Sequence, residues 1–172
     1  MASPSGIGSA FVTNDAGFPF PFWFPDDADS KFISPQADYT GDQTDAPGIY
    51  TYETTFSLAG LLPTTAVLTI FVAVDNNLND ILINGVSTGL SAAGFAGFSG
   101  PLIISSGFLP GMNTLDFVTE NFAGDSGNPT GLRVSISGTA DSAVPEPLTL
   151  GMAGLGLLAL SLAASRRRSS PR

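Results

Sequence analysis

Polar and apolar positions in this chain mostly alternate with a period of two. Tyr50, Tyr52, Thr54 and Phe56 alternate with Thr51, Glu53 and Thr55, as in a strand with one face buried. Residues 67–74 (VLTIFVAV) form an unbroken β-branched and aromatic run, which predicts a central strand covered on both faces. Residues 81–83 predict a short strand closed by the turn dipeptide Asn84-Gly85, and residues 102–104 predict another. Residues 114–122 (TLDFVTENF) and 132–137 (LRVSIS) alternate again, punctuated by Pro110-Gly111 and Asn128-Pro129. No stretch before Val144 repeats at the helical period. Short strands separated by Gly, Pro and Asn turns predict an all-β, antiparallel β-sandwich.

The pattern changes after Val144. Residues 148–164 carry no charge, and their only polar side chains are the hydroxyls of Thr149 and Ser161. As a helix they cover about 26 Å at ~1.5 Å per residue, close to the short limit for a ~30 Å hydrocarbon core. Arg166, Arg167 and Arg168 follow at once and reach the headgroups, so the expectation is a transmembrane helix at 148–164 with a basic tail at 165–172. Arginines flanking a span stay on the cytoplasmic side, which places everything before Val144 outside. The opening residues MASPSGIGSAFVTNDAGF have neither a basic nor an apolar export region. An outward domain needs such a signal, so the reading frame is expected to extend upstream of Met1.

Pro145 and Pro147 stop a helix from running back through the segment and push the residue before each into extended backbone. Val144-Pro145-Glu146-Pro147, a short Gly/Leu-rich span and an Arg cluster, in that order, resemble the PEP-CTERM sorting signal of exported bacterial proteins. The resemblance covers about the last thirty residues. It implies recognition by an exosortase-type membrane enzyme, processing near the motif, and a mature protein at the cell surface or in the extracellular matrix. The alternative is a plain single-pass anchor.

Composition narrows the chemistry. Before Val144 fourteen Asp and Glu stand against Lys31 and Arg133, a net charge of −12, which argues against nucleic acid as a partner. There is no cysteine and no histidine, so disulfides, thiolate or imidazole metal sites and a Ser-His-Asp triad are all absent. Asp116 and Glu120, the best carboxylate pair, lie about 13 Å apart along one strand, beyond the roughly 5–9.5 Å of a glycosidase pair. No catalytic residue is assigned, and the domain is expected to be noncatalytic.

Within the outer part, the order Tyr-Thr-Tyr-x-Thr-x-Phe, Val74-Asp75-Asn76, Ile-Leu-Ile-Asn-Gly (81–85), Gly-x-Asn-x-Leu-Asp-Phe (111–117) and Gly-Leu-Arg-Val (131–134) resembles a galactose-binding-like jelly roll over 23–140. The expected organisation is an N-terminal segment at 1–22, the jelly-roll ectodomain at 23–140 and the sorting signal at 141–172, with its PEP motif at 145–147. Asp75, Asn76, Asn84 and Asn121 at strand ends are the candidate ligand contacts, with Arg133 ranked below them and Trp23 as the candidate stacking ring. Phe22 and Phe24 cluster with Trp23, and Phe95 and Phe98 flank a glycine-rich loop, AAGFAGFSG; most of these rings are expected in the core. Asp75, Asn77 and Asn79 occupy the first, third and fifth places of a calcium-loop pattern that then fails at Asp80 and Val86, so calcium is a weak candidate and 75–80 reads as a polar hairpin connection. Asp26, Asp27 and Asp29 read as a solvated turn. Two classes remain open. One is a surface protein that binds extracellular polysaccharide, marked by exposed aromatics beside polar groups; the other is a structural or adhesive module with no small ligand, marked by their burial.

Overall fold

The computed structural model of the chain describes residues 8–39, 44–124 and 127–143. Among them eight strands form: β1 (Phe11–Val12), β2 (Ile33–Ser34), β3 (Gly48–Ser57), β4 (Val67–Ile83), β5 (Val86–Ser87), β6 (Ala92–Ile104), β7 (Met112–Asn121) and β8 (Gly131–Thr139). The helical element among the described residues is a single 3-10 turn, Pro63–Thr65. All strands belong to the unit Met1–Ser142; of the second unit, Ala143–Arg172, only Ala143 is described.

Every pairing is antiparallel, and β4 organises the network. Along one edge it pairs with β8 from Val67 to Asp75 and then with β7 from Asn77 to Ile83; along the other it holds β6 and then the short β5. The edge therefore changes partner at Asp75-Asn76. β3 pairs with β7 in an unbroken register from Gly48↔Asn121 to Ser57↔Met112, so that the strands connect in the order β1-β2-β8-β4-β7-β3 with β5 and β6 also on β4, an all-β arrangement consistent with a β-sandwich.

The core follows the pleat. Leu68, Ile70, Val72, Val74 and Leu78 face inward, and a register shift between Leu78 and Asp80 hands the inward phase to Ile81 and Ile83. Leu115 and Phe117 from β7, Leu132 from β8 and Ile104 from β6 meet them. On the opposite face of β4, buried Ala73 packs beneath Trp23 and Phe32, with Phe20, Phe24, Phe95 and Phe98 around them. The N-terminal arm thus covers the outer face of β4, and the run 67–74 is covered on both sides as its composition predicts.

Two elements differ from the sequence expectation. Residues 75–80 are not a hairpin connection: β4 runs through them without a break, because β6 and β7 supply backbone partners at Asn77 and Leu78. The glycine-rich residues 92–100 are not a loop but the first part of β6. The Asn84-Gly85 turn forms as expected. Ile83 pairs with Val86, leaving a two-residue connection whose φ values of 52° and 76° are the ones Asn and Gly tolerate.

Candidate functional site

The partner change in β4 has a geometric consequence. β7 ends at Asn121 and β8 begins at Gly131, opposite Asp75, so the 122–130 connection leaves and returns where the two strands diverge from β4. The N-terminal arm crosses the same place. Between them lies an open cleft of about 390 Å³, with Phe18, Phe22 and Phe95 as aromatic walls and Asp75, Asn76 and Asn128 as polar ones. Phe22 is 67% exposed and Phe18 36%, and their rings meet edge to face at 6.3 Å.

Trp23 forms the buried back of this cleft at 1% exposure, and its indole Nε1–H donates to Asp75 Oδ2 at 2.9 Å. It packs on Phe32 at 4.6 Å between centroids. Asp75 is itself buried. Loss of solvent raises its carboxyl above the usual range, the indole hydrogen bond opposes this, and the negative charge of Asp45 adds to it. Among the described residues the indole is the only side-chain hydrogen-bond donor to that carboxylate. Asn76 Oδ1 accepts the Phe122 N–H at 2.7 Å, fixing the root of the 122–130 connection, and its own NH2 has no protein partner among the described residues. Asn128 Nδ2 donates to the Phe122 carbonyl at 3.0 Å.

Behind the cleft sits a polar cluster that no sequence pattern signals. Buried Asp45 accepts from Gln36 Nε2 at 2.8 Å, from the Thr130 N–H at 2.8 Å and from the Tyr39 hydroxyl. Burial, reinforced by that carboxylate, pushes the Tyr39 phenol far up, so it serves as a fixed donor. Asn121, 1% exposed, donates Nδ2 to the Asp45 carbonyl at 3.1 Å and belongs to this support rather than to the cleft wall. The Thr130 hydroxyl donates to the Asp75 carbonyl, tying the cluster to the cleft.

Arg133 is a structural clamp. It is fully buried, with its guanidinium 4.5 Å from the Phe24 centroid and 5.0 Å from that of Phe98. Nε donates to Ser30 Oγ at 2.9 Å, another guanidinium nitrogen to the Pro25 carbonyl, and Nη2 meets Asp27 Oδ2 at 2.6 Å. Asp27 also accepts the N–H groups of Asp29 and Ser30, which lower its carboxyl further than the arginine does. The turn read as solvated is therefore the outer half of an arginine socket that fastens the arm to the sheet.

The structure brings Trp23, Asp75 and Asn76 together and seats Asn121 just behind them. Asn84 lies elsewhere, near the opposite end of β7, where it accepts the Thr114 N–H at 3.0 Å and donates to Asn113 and to the Gly107 carbonyl. It is a turn residue, not a cleft residue. Asn77 and Asn79 do not join Asp75 either; Asn79 donates to Glu120 at 2.9 Å, and among the described residues no three acidic side chains converge as metal ligands do. A second cavity of about 390 Å³, lined by Phe56, Leu58, Leu61, Leu115 and Ile136, is mostly apolar and brings no charged group into its wall. The sorting residues Val144, Pro145, Glu146 and Pro147, the helix at 148–164 and Arg166, Arg167 and Arg168 lie outside the described residues. Among the described residues no helix is long and apolar enough to cross a membrane.

An all-β domain followed by a proline-bracketed glutamate, an apolar run and an arginine cluster defines an exported protein with a C-terminal sorting signal. That signal is the PEP-CTERM protein-sorting motif, whose family model matches residues 143–168 and which implies recognition by an exosortase-type enzyme. No curated protein and no solved structure matches the chain.

Proposed function

We propose that the domain ahead of the sorting motif is a noncatalytic module that binds extracellular polysaccharide at the aromatic cleft, on a galactose-binding-like jelly-roll framework spanning 23–140. The apolar segment 148–164 holds the chain in the membrane until an exosortase-type enzyme processes it at Pro145-Glu146-Pro147, after which the module serves at the cell surface or in the matrix. The observation that supports glycan binding is the pairing of exposed Phe18 and Phe22 with Asp75, Asn76 and Asn128 in one open cleft. A pyranose has an apolar C–H face that stacks on such rings and hydroxyls that carboxylate and amide groups take. Trp23, buried behind them, positions Asp75 instead of stacking on sugar.

Trp23 is the chain's single tryptophan and touches the cleft, so its emission reports occupancy. Titrating the full chain with neutral, amino and acidic oligosaccharides is expected to give saturable emission changes, weakened about tenfold or more by Phe22→Ala. Absence of saturable binding to every class leaves the adhesive-module reading in its place.

A further inference from the structure

We infer that the cleft recognises an ammonium group, and hence a sugar residue carrying a free amine, with Asp75 as the residue that sets this preference. The inference rests on the polysaccharide reading of the same cleft and goes beyond it in naming the substrate class. Three observations carry it.

Aromatic rings dominate the walls: Phe18, Phe22 and Phe95, with Trp23 behind. The face of an aromatic ring attracts a cation through its quadrupole, so rings that line a cleft favour an ammonium group there. Among the described residues the single charge in the wall is negative. Among them Asp75 has one side-chain donor, the Trp23 indole, and it is held away from solvent, so an incoming cation supplies the counter-charge that water does not. Its carboxyl is raised chiefly by that loss of solvent, and Asp45 adds to the effect.

Among the described residues no cation competes for the site. Of these only Lys31 and Arg133 are basic; neither lines the cleft, and Arg133 is spent between Phe24, Phe98 and Asp27. A uronate entering the cleft meets a carboxylate and no compensating charge, whereas an N-acetylated sugar keeps the stacking but loses the ion pair. The geometry therefore ranks free amine above N-acetyl and both above carboxylate.

The test compares the full chain's affinity for glucosamine oligomers, their N-acetylated counterparts and uronate oligomers of equal length. Measurement in about 0.5 M salt suppresses attraction to the generally acidic surface while leaving a desolvated contact largely intact. The parent chain is expected to prefer the amine about tenfold over the N-acetyl form, and Asp75→Asn, which keeps an oxygen for the Trp23 N–H, to remove that preference. Phe22→Leu alters an exposed ring and keeps the fold; it is expected to reduce the preference while retaining apolar contact. Binding of glycans with no amine preference in the parent, or a preference unchanged in both variants, overturns the ammonium assignment and leaves polysaccharide binding standing. Failure of all three oligomers to bind overturns the polysaccharide reading itself, and the assignment falls with it.

Discussion

Replacing Gly131 by alanine tests whether the Trp23–Asp75 contact is as tightly enclosed as the geometry indicates. Gly131 opens β8, pairs with Asp75 and is buried. Its backbone does not require glycine, but its space does: a Cβ there lies 2.3 Å from Trp23 Cη2, 2.7 Å from Cζ3 and 3.2 Å from the Ile33 carbonyl oxygen. Carbon atoms in contact sit at about 3.5–4.0 Å, so the indole has to retreat by more than ~1 Å. Phe32, Phe20 and Tyr39 pack around it at centroid distances of 4.6, 6.0 and 6.3 Å and resist that retreat. Overpacking of this kind costs about 1–3 kcal/mol. A ring displaced that far also weakens its 2.9 Å bond to Asp75, a charged-acceptor hydrogen bond worth roughly 1.5–3 kcal/mol, while the stiffer unfolded chain returns about 0.4–1. The net expectation is a loss of ~3 kcal/mol, near 10 °C in Tm at about 3 °C per kcal/mol. Domains have about 5–15 kcal/mol in hand, so the variant still folds at 25 °C. Thermal unfolding followed by tryptophan emission measures Tm and reports the Trp23 environment together. A variant that melts within a degree of the parent with the same emission maximum refutes the packing argument.

Arg133→Ala removes the clamp on the arm and is expected to cost about 3–5 kcal/mol, from its hydrogen bonds, two ring contacts and the space left behind; solvent screens the contact with exposed Asp27, which is left out of this sum. Arg133→Met, which keeps apolar bulk between Phe24 and Phe98, should recover about half of that loss in denaturant titrations, and equal losses for the two variants contradict the socket. Asp75→Asn is expected to gain stability relative to the parent as pH rises. A raised native carboxyl holds more protons than the unfolded one between the ordinary and raised pKa values, so the parent's stability falls across that window and the variant's does not; parallel melts from pH 3 to 8 check this, and a constant difference counts against it. Calcium should move Tm little, because Asp75 and Asn79 are already committed to Trp23 and Glu120; a rise of many degrees at submillimolar calcium points to a site elsewhere. Replacing Pro145, Glu146 and Pro147 together with alanine should leave the chain in the membrane fraction and block C-terminal processing, read by intact mass in the native host. If the parent keeps Arg166, Arg167 and Arg168 when the processing enzyme is present, the sorting reading fails.

The strands that alternate in sequence were legible. β3, β7 and β8 each carry such an alternation, and their ends fall within two residues of the expected ones. β4 was legible only in its apolar half: Asp-Asn-Asn-Leu-Asn-Asp has the composition of a connection and is strand because neighbouring strands claim its backbone. The same holds for the glycines of β6, since ladder hydrogen bonds come from β4 and not from intrinsic preference. Trp23, Asp75 and Asn76, grouped in the sequence as an aromatic beside polar strand ends, do come together in one cleft, although Asp75 and Asn76 lie inside β4 and Trp23 is buried. Asn84 misled on the same grounds, its amide being used by a turn. The Asp45 cluster and the Arg133 socket join positions 85 and 106 residues apart, which leaves no local signal.

The sheet also sets an order of events during synthesis. Ile33 in β2 has its partner at Leu132 and Gly48 in β3 has its partner at Asn121, so the early strands wait for residues made about a hundred and about seventy positions later. Arg133, which seats the N-terminal arm, emerges in the same late stretch. Pairings of such long sequence separation form slowly. A growing chain of this topology can pair β4 with β5, β6 and β7, and β3 with β7, before β8 is made, but the N-terminal arm has neither its strand partner Leu132 nor its socket Arg133 until then, so the beginning of the chain is the last part to be fastened.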